Sequence, residues 1–185
     1  MKKLFLSMLL LPLFGCFSTP NSNFFVLEPI DIPTVSSKKT TIAVYDINVP
    51  DFIDRPQIVL QKPNSPEVTI SEFNRWATDL NAMIKNTLIA DLKSALPNAK
   101  IIPLNFGSNY QYVIKINIEE LNGWFNDSAH LKINWQILNQ RGIVLYSQNL
   151  QYTAFVEKNY ESYAKAQSKL LSNLSKDIAQ KISKI

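Results

Sequence analysis

Two runs in the middle of the chain set the strongest limit on its fold. Tyr110, Tyr112, Ile114, Ile116 and Ile118 are separated by Gln111, Lys115, Asn117 and Glu119. Leu131, Ile133, Trp135 and Ile137 are separated by Lys132, Asn134 and Gln136. Side chains along a strand point alternately to opposite faces, so each run is a strand with one apolar and one wet face. The joins are short. Asn126-Asp127-Ser128 links the two runs, and Asn139-Gln140-Arg141-Gly142 leads into a third strand over roughly Ile143 to Phe155. Three strands joined this way form an antiparallel meander with one face on a core and the other toward water.

Something must cover the apolar face, and two stretches have the period for it. From Thr78 to Leu96, the residues Leu80, Met83, Ile84, Leu88, Leu92 and Ala95 recur at spacings of three and four. Thr78 suits the cap, Asp79 the positive end of the dipole, and Pro97 lies past the end. From Tyr160 to Ile182 a second apolar stripe includes Tyr163, Leu170, Leu171, Leu174 and Ile178. Lys158, Lys165, Lys169 and Lys176 fall opposite it, either as a solvated face or as a docking surface. Trp76 is expected to wedge between the first helix and the sheet, with Leu80 and Trp135 as further structural residues. Shorter strands are expected at Phe24–Leu27, Thr41–Val49 and Ile101-Ile102, with a hairpin of Ile58–Leu60 and Val68–Ile70 around Pro63-Asn64-Ser65-Pro66. The expected fold is α+β: a mixed or antiparallel sheet with two helices packed on one face, built as a single domain from residues 24–185.

The start of the chain is different in kind. Met1-Lys2-Lys3 precedes an apolar run from Leu4 to Phe14, followed by Gly15-Cys16. That run is too short to cross a bilayer as a helix, which takes roughly 20 residues. It reads as a secretory signal peptide over residues 1–15. Leu13-Phe14-Gly15-Cys16 resembles a bacterial lipobox, and Cys16 is the only cysteine. The expectation is cleavage before Cys16 and a diacylglycerol on its thiol, a covalent lipid rather than a cofactor. A plain signal with an incidental cysteine is the alternative. In the resembling class an Asp after the cysteine retains the protein in the inner membrane; Phe17 therefore points to the outer membrane. Residues 16–23 form the lipidated cysteine and tether, and the seven residues from Phe17 to Asn23 reach roughly 25 Å at most. Removing Lys2 and Lys3 lowers the net charge from +4 to +2, so the basic balance gives no argument for a nucleic-acid partner.

Parts for catalysis are scarce. His130 is the only histidine, on the polar register beside a turn, and the only cysteine is assigned to lipid. A nucleophile–His arrangement has few possible components, and no cluster has zinc-ligand spacing. Glu119 and Glu120 are adjacent on a strand and are expected to face opposite sides. Asp51, Asp54 and Arg55 cluster in a bend, where turn structure and local ion pairing suffice to explain them. The expectation is no catalytic residue and no metal site.

One further pattern runs through the chain. Val49-Pro50-Asp51-Phe52-Ile53-Asp54-Arg55-Pro56-Gln57-Ile58-Val59 is followed by Arg75-Trp76-Ala77 and Leu80, then by Leu88, Leu92 and Pro97. With the opening Phe24-Phe25-x-Leu27, this resembles the ABC-type transport auxiliary lipoprotein family. Asp79 departs from that family's frequent Pro, and both residues suit a first helical turn. The resemblance implies a non-enzymatic, lipid-anchored protein of the outer membrane, facing the periplasm. It would dock an MCE-domain protein that spans the periplasm, in a system moving lipids between membranes. Because MCE partners are rotationally symmetric, a homo-oligomer, with a ring as one form of it, is implied as well. Phe52, Asp54 and Arg55 are the candidate partner or oligomer interface, with Phe52 as a plug of the sheet edge the structural alternative. Two rival classes are a structural or assembly lipoprotein binding an outer-membrane barrel or the cell wall, and a hydrolase with an unrecognised site.

Overall fold

The computed structural model describes residues 20–104 and 109–185. Cys16, Phe17 and the signal-like segment lie outside the described residues. The elements run β1 (Asn23–Phe25), β2 (Thr41–Val44), β3 (Gln57–Gln61), β4 (Val68–Trp76), α1 (Leu80–Ala95), β5 (Lys100–Pro103), β6 (Tyr112–Gly123), β7 (Asp127–Asn139), β8 (Val144–Val156) and α2 (Tyr160–Ile182). The architecture is α+β: one mixed eight-stranded sheet with two helices.

The meander β6–β7–β8 is the spine, antiparallel throughout. From Ala129 to Ile137 the odd-numbered β7 residues are buried: Ala129, Leu131, Ile133 and Ile137 at 0% and Trp135 at 1% exposure. The free side of β6 is shared by two smaller units. Near its start β6 pairs in parallel with β2, which also pairs in parallel with β5. At its far end Gly123 pairs with Gln61, where β3 arrives antiparallel. A Cβ on Gly123 would come within 2.8 Å of the Ala129 Cα and 3.1 Å of the Tyr163 ring, so only glycine lets these elements close together. Beyond β3 the order continues to β4 and β1.

The helices close the buried face. Their local signals differ in clarity. α2 runs over the expected residues; Asn159 caps it by accepting from the Ser162 amide at 2.7 Å. α1 begins two residues later than the sequence suggests. The cap is Asp79, which accepts from the Ala82 amide at 2.8 Å, and Thr78 stays outside the helix. Trp76 is the last residue of β4 and is 5% exposed. Its ring centroid lies 6.4 Å from that of Tyr163, so it packs toward α2.

Three further expectations are revised. The strand foreseen over Thr41–Val49 ends at Val44, and the chain rejoins the sheet only through an isolated bridge from Asn48 to Asn117. The hairpin arms lengthen to Gln57–Gln61 and Val68–Trp76, because β4 gains β1 as a second partner. A bulge interrupts β6: Ile118 faces Ile133 and Glu120 faces Lys132, leaving Glu119 as the extra residue. Simple alternation therefore fails at the two glutamates, and both act on Lys132. Its pKa is raised by the 3.1 Å contact and charge of Glu119, and further by Glu120.

Between β1 and β2 the chain crosses the helix layer as an arm held by side chains. The Glu28 amide donates to Ser168 Oγ at 2.9 Å, Ile30 to Asp91 Oδ1 at 2.8 Å and Ile32 to Ser94 Oγ at 3.1 Å. The Val35 amide donates to the Ala95 carbonyl at 2.8 Å. Leu27 and Ile32 anchor the arm in the core at 5% exposure each.

Candidate functional site

The bend before β3, the end of β4 and the start of α1 meet in one place. Prolines at 50 and 56 keep the bend out of the sheet ladder. Within it, the Ile53 amide donates to the Pro50 carbonyl at 3.1 Å and the Arg55 amide to the Ile53 carbonyl at 2.8 Å. The Trp76 amide then donates to the Pro56 carbonyl at 2.7 Å, and Gln57 faces Arg75 across β3 and β4. On the other side of β4, β1 runs parallel with Phe24 opposite Arg75 and Phe25 opposite Trp76. The Ala77 amide, just past β4, donates to the Phe25 carbonyl at 2.8 Å.

These joints enclose a cleft of about 420 Å³ lined by Phe24, Asp54, Arg55, Pro56 and residues 75–80. Its walls are mixed. Trp76, Leu80 and Phe24 offer apolar surface, while Arg55 and Arg75 share the lining with Asp54 and Asp79. The Asn81 side chain donates to Asp54 Oδ2 at 2.8 Å and ties the bend to the first turn of α1. Arg55 is half-buried, and its Nε is buried with no hydrogen-bond partner among the described residues.

The residues singled out from the sequence divide here. Asp54, Arg55, Trp76 and Leu80 line the cleft. Phe52 sits beside it on the bend, 40% exposed, with Ile53 next to it buried at 3%. Trp135 is elsewhere, fully buried under β8 with its ring 5.1 Å from that of Tyr146. Cys16 lies outside the described residues. Three contributors carried no individual expectation: Phe24, 64% exposed, Arg75 and Asn81. The first two stood in family-like strings; Asn81 had no signal, since an amide in a first helical turn is ordinary.

Among the described residues, no three His, Cys, Asp or Glu side chains gather as metal ligands, and no helix is long and apolar enough to cross a membrane. His130 is half-buried with Nε2 2.8 Å from Ser128 Oγ. Asp127 accepts from that same hydroxyl at 3.1 Å and not from the imidazole, so the three do not form a relay.

By its family match, the chain with this fold and cleft is a transport accessory protein. The chain belongs to the family of ABC-type transport auxiliary lipoprotein components, matched over residues 25–179, and that family is not one of enzymes. Over 189 aligned residues, spanning all of both chains, it is 26% identical to the intermembrane transport lipoprotein PqiC of Escherichia coli (strain K12), and equally to that of Shigella flexneri. Two crystal structures share the fold. One, of an uncharacterized protein, has a TM-score of 0.75 at 21% identity, covering 89% of this chain and all of that one. The other, of a Xanthomonas campestris protein, has a TM-score of 0.71 at 12% identity, covering 85% and 93%.

Proposed function

We propose that this chain is the outer-membrane-anchored docking component of an intermembrane lipid transport system. Its N-terminus is held by lipid on Cys16, and its folded part, residues 24–185, faces the periplasm as a single domain. An MCE-domain protein reaches it from the inner membrane, because a tether of roughly 25 Å keeps the domain near its own membrane. The role is binding, without turnover. The observation that carries the reading is the convergence of the two family-like strings, Asp54-Arg55-Pro56 and Arg75-Trp76-Ala77, on one cleft. At it stand a half-exposed Phe52 and an Arg55 whose Nε lacks a partner among the described residues, the aromatic and arginine types that dominate binding energy at interfaces. The likeness to a lipoprotein named for intermembrane transport supports the same reading.

The test is co-purification from membranes with Phe52→Ala and Arg55→Ala, each paired with a circular dichroism melt. The expected result is loss of the MCE partner, or of self-assembly, with the melt preserved. Full recovery of partner and assembly in both variants overturns the assignment of this surface. A barrel or cell-wall partner recovered in place of an MCE protein overturns the transport reading itself.

A further inference from the structure

β1 breaks the usual rule for a strand with one wet face. Phe25 and Leu27 turn inward: the Phe25 ring packs on that of Tyr160 with centroids 6.0 Å apart, and Leu27 is buried. The alternate residues, Phe24 and Val26, turn outward and are 64% and 47% exposed. Polar side chains ordinarily hold such positions. β1 has three residues and, among the described residues, pairs only with β4, so packing within the fold gives no reason for this apolar pair. With Pro29, Ile30 and Ala164 the two line an open groove of about 280 Å³ between the arm and α2. Phe24 is shared with the Arg55 cleft and forms the ridge between them.

The α2 wall of the groove carries Lys165, which pairs with Glu161. Lys169 and Lys176 continue on the same side of the helix; at 100° per residue the three fall within about 40° of one another. Lys158 stands just before the helix. All four are exposed, and Lys158, Lys169 and Lys176 form no ion pair among the described residues. An apolar wedge beside a row of cations is the pattern of an interfacial membrane contact. The leash selects this occupant. The described chain begins at Pro20, three residues before β1, and Cys16 is four residues further back. A lipid on Cys16 is therefore within roughly 25 Å of Asn23, and the groove stays within reach of the bilayer. We infer that Phe24 and Val26 enter the phospholipid surface that holds Cys16, and that the lysines of α2 rest on its anionic headgroups. The inference rests on the lipidated Cys16 of the proposed function and extends it: the membrane is a partner of the folded domain as well as of its tether.

The test uses the full chain as exported and acylated, purified in detergent and returned to vesicles of phosphatidylethanolamine with phosphatidylglycerol, part of the lipid being brominated near the top of its chains. Phe24→Trp places an indole on the ridge, and its emission is read as the difference from the unsubstituted chain, with dichroism melts alongside. The expected result is that bromine removes about half or more of that added emission, because an interfacial contact carries apolar side chains about 5–10 Å into the headgroup–acyl boundary. Quenching should fall about twofold or more in vesicles of phosphatidylcholine alone, and likewise when Lys158, Lys169 and Lys176 are all changed to Gln. It should return when the same three are changed to Arg. Added emission untouched by bromine, in a chain whose mass shows the lipid, overturns the contact, leaves the anchor intact and gives the groove to a protein partner. Undiminished quenching in the Gln variant with an unchanged melt overturns the role of the lysines. A mature chain whose mass shows no lipid on Cys16 overturns the anchor and the contact together.

Discussion

The Asn81 amide donates to Asp54 Oδ2 at 2.8 Å and so fixes the bend before β3 against the first turn of α1. The two residues are distant in sequence, and their contact sets the width of the cleft. Asp54→Ala is expected to cost about 0.5–1.5 kcal/mol, the usual net worth of such a bond. It should weaken partner recovery more than that small loss of stability explains. A double-mutant cycle with Asn81→Ala checks it: if the pair is the cause, the double variant loses no more docking than Asp54→Ala alone.

Trp76 closes the floor of the same cleft and packs its ring beside Tyr163, whose hydroxyl donates to the Val59 carbonyl at 3.1 Å. Burial pushes the Tyr163 phenol above its ordinary pKa, as expected of a ring sealed into the core. Trp76→Ala should destabilise by about 3–5 kcal/mol, as large truncations in a core do. That is a sizeable part of the roughly 5–15 kcal/mol a domain has. The urea midpoint reads it, and a midpoint equal to wild type would mean the ring contributes nothing to the core.

Asp91 is buried on α1, accepting from the Ile30 amide at 2.8 Å and from Ser175 Oγ at 3.4 Å. Burial is the largest influence and pushes its pKa from 3.8 to about 6, against the two hydrogen bonds. Between those values the folded chain holds more proton than the unfolded one, so this site adds stability as pH falls. The contribution is complete below the unfolded value and is lost as pH rises through about 6. Asp91→Asn stays neutral and keeps an oxygen for Ile30. It should be more stable than wild type at neutral pH, by at most about 3 kcal/mol at 1.36 kcal/mol per unit. The gap should close in acid. Denaturation curves of both proteins on either side of the window decide it, and a gap independent of pH would refute it.

Anchoring makes a separate prediction. Cys16→Ser should abolish incorporation of labelled palmitate, and Phe17→Asp should move the protein from the outer-membrane to the inner-membrane fraction. Wild-type labelling in the first variant, or unchanged fractionation in the second, counts against the anchor as proposed.

The parts legible from sequence are those whose signal is local. The range of α2 follows from its apolar stripe, and the meander from strict alternation. α1 ends one residue early, at Ala95, and starts two residues late, because Thr78 and Asp79 are both good caps and geometry alone decides between them. The parallel pairings of β1 with β4 and of β2 with β5 and β6 were not legible. They join segments far apart in the chain, and a three- or four-residue strand carries no period that names its neighbour. The bulge at Glu119 was hidden for a related reason, since it is a property of the pairing and not of β6 alone. At the cleft, the two strings were visible as strings, but their meeting depends on the β3–β4 register and on the Trp76 amide reaching Pro56.

The arm from β1 to β2 gives the molecule a mechanical order of yielding. A pull on the chain's N-terminal side enters the fold at Asn23, where β1 meets β4 through only three residue pairs. The next resistance is the series of rungs from Glu28 to Ile32 on Ser168, Asp91 and Ser94. None of these belongs to the meander, so they can give way one at a time while the main sheet stays whole. Freeing Asn23 through Asp31 releases about 30 Å of chain at the span of an extended backbone. Tension is thus absorbed as length, at the expense of Leu27's place in the core, before it reaches the meander, and β1 leaves first, opening the cleft wall that Phe24 forms.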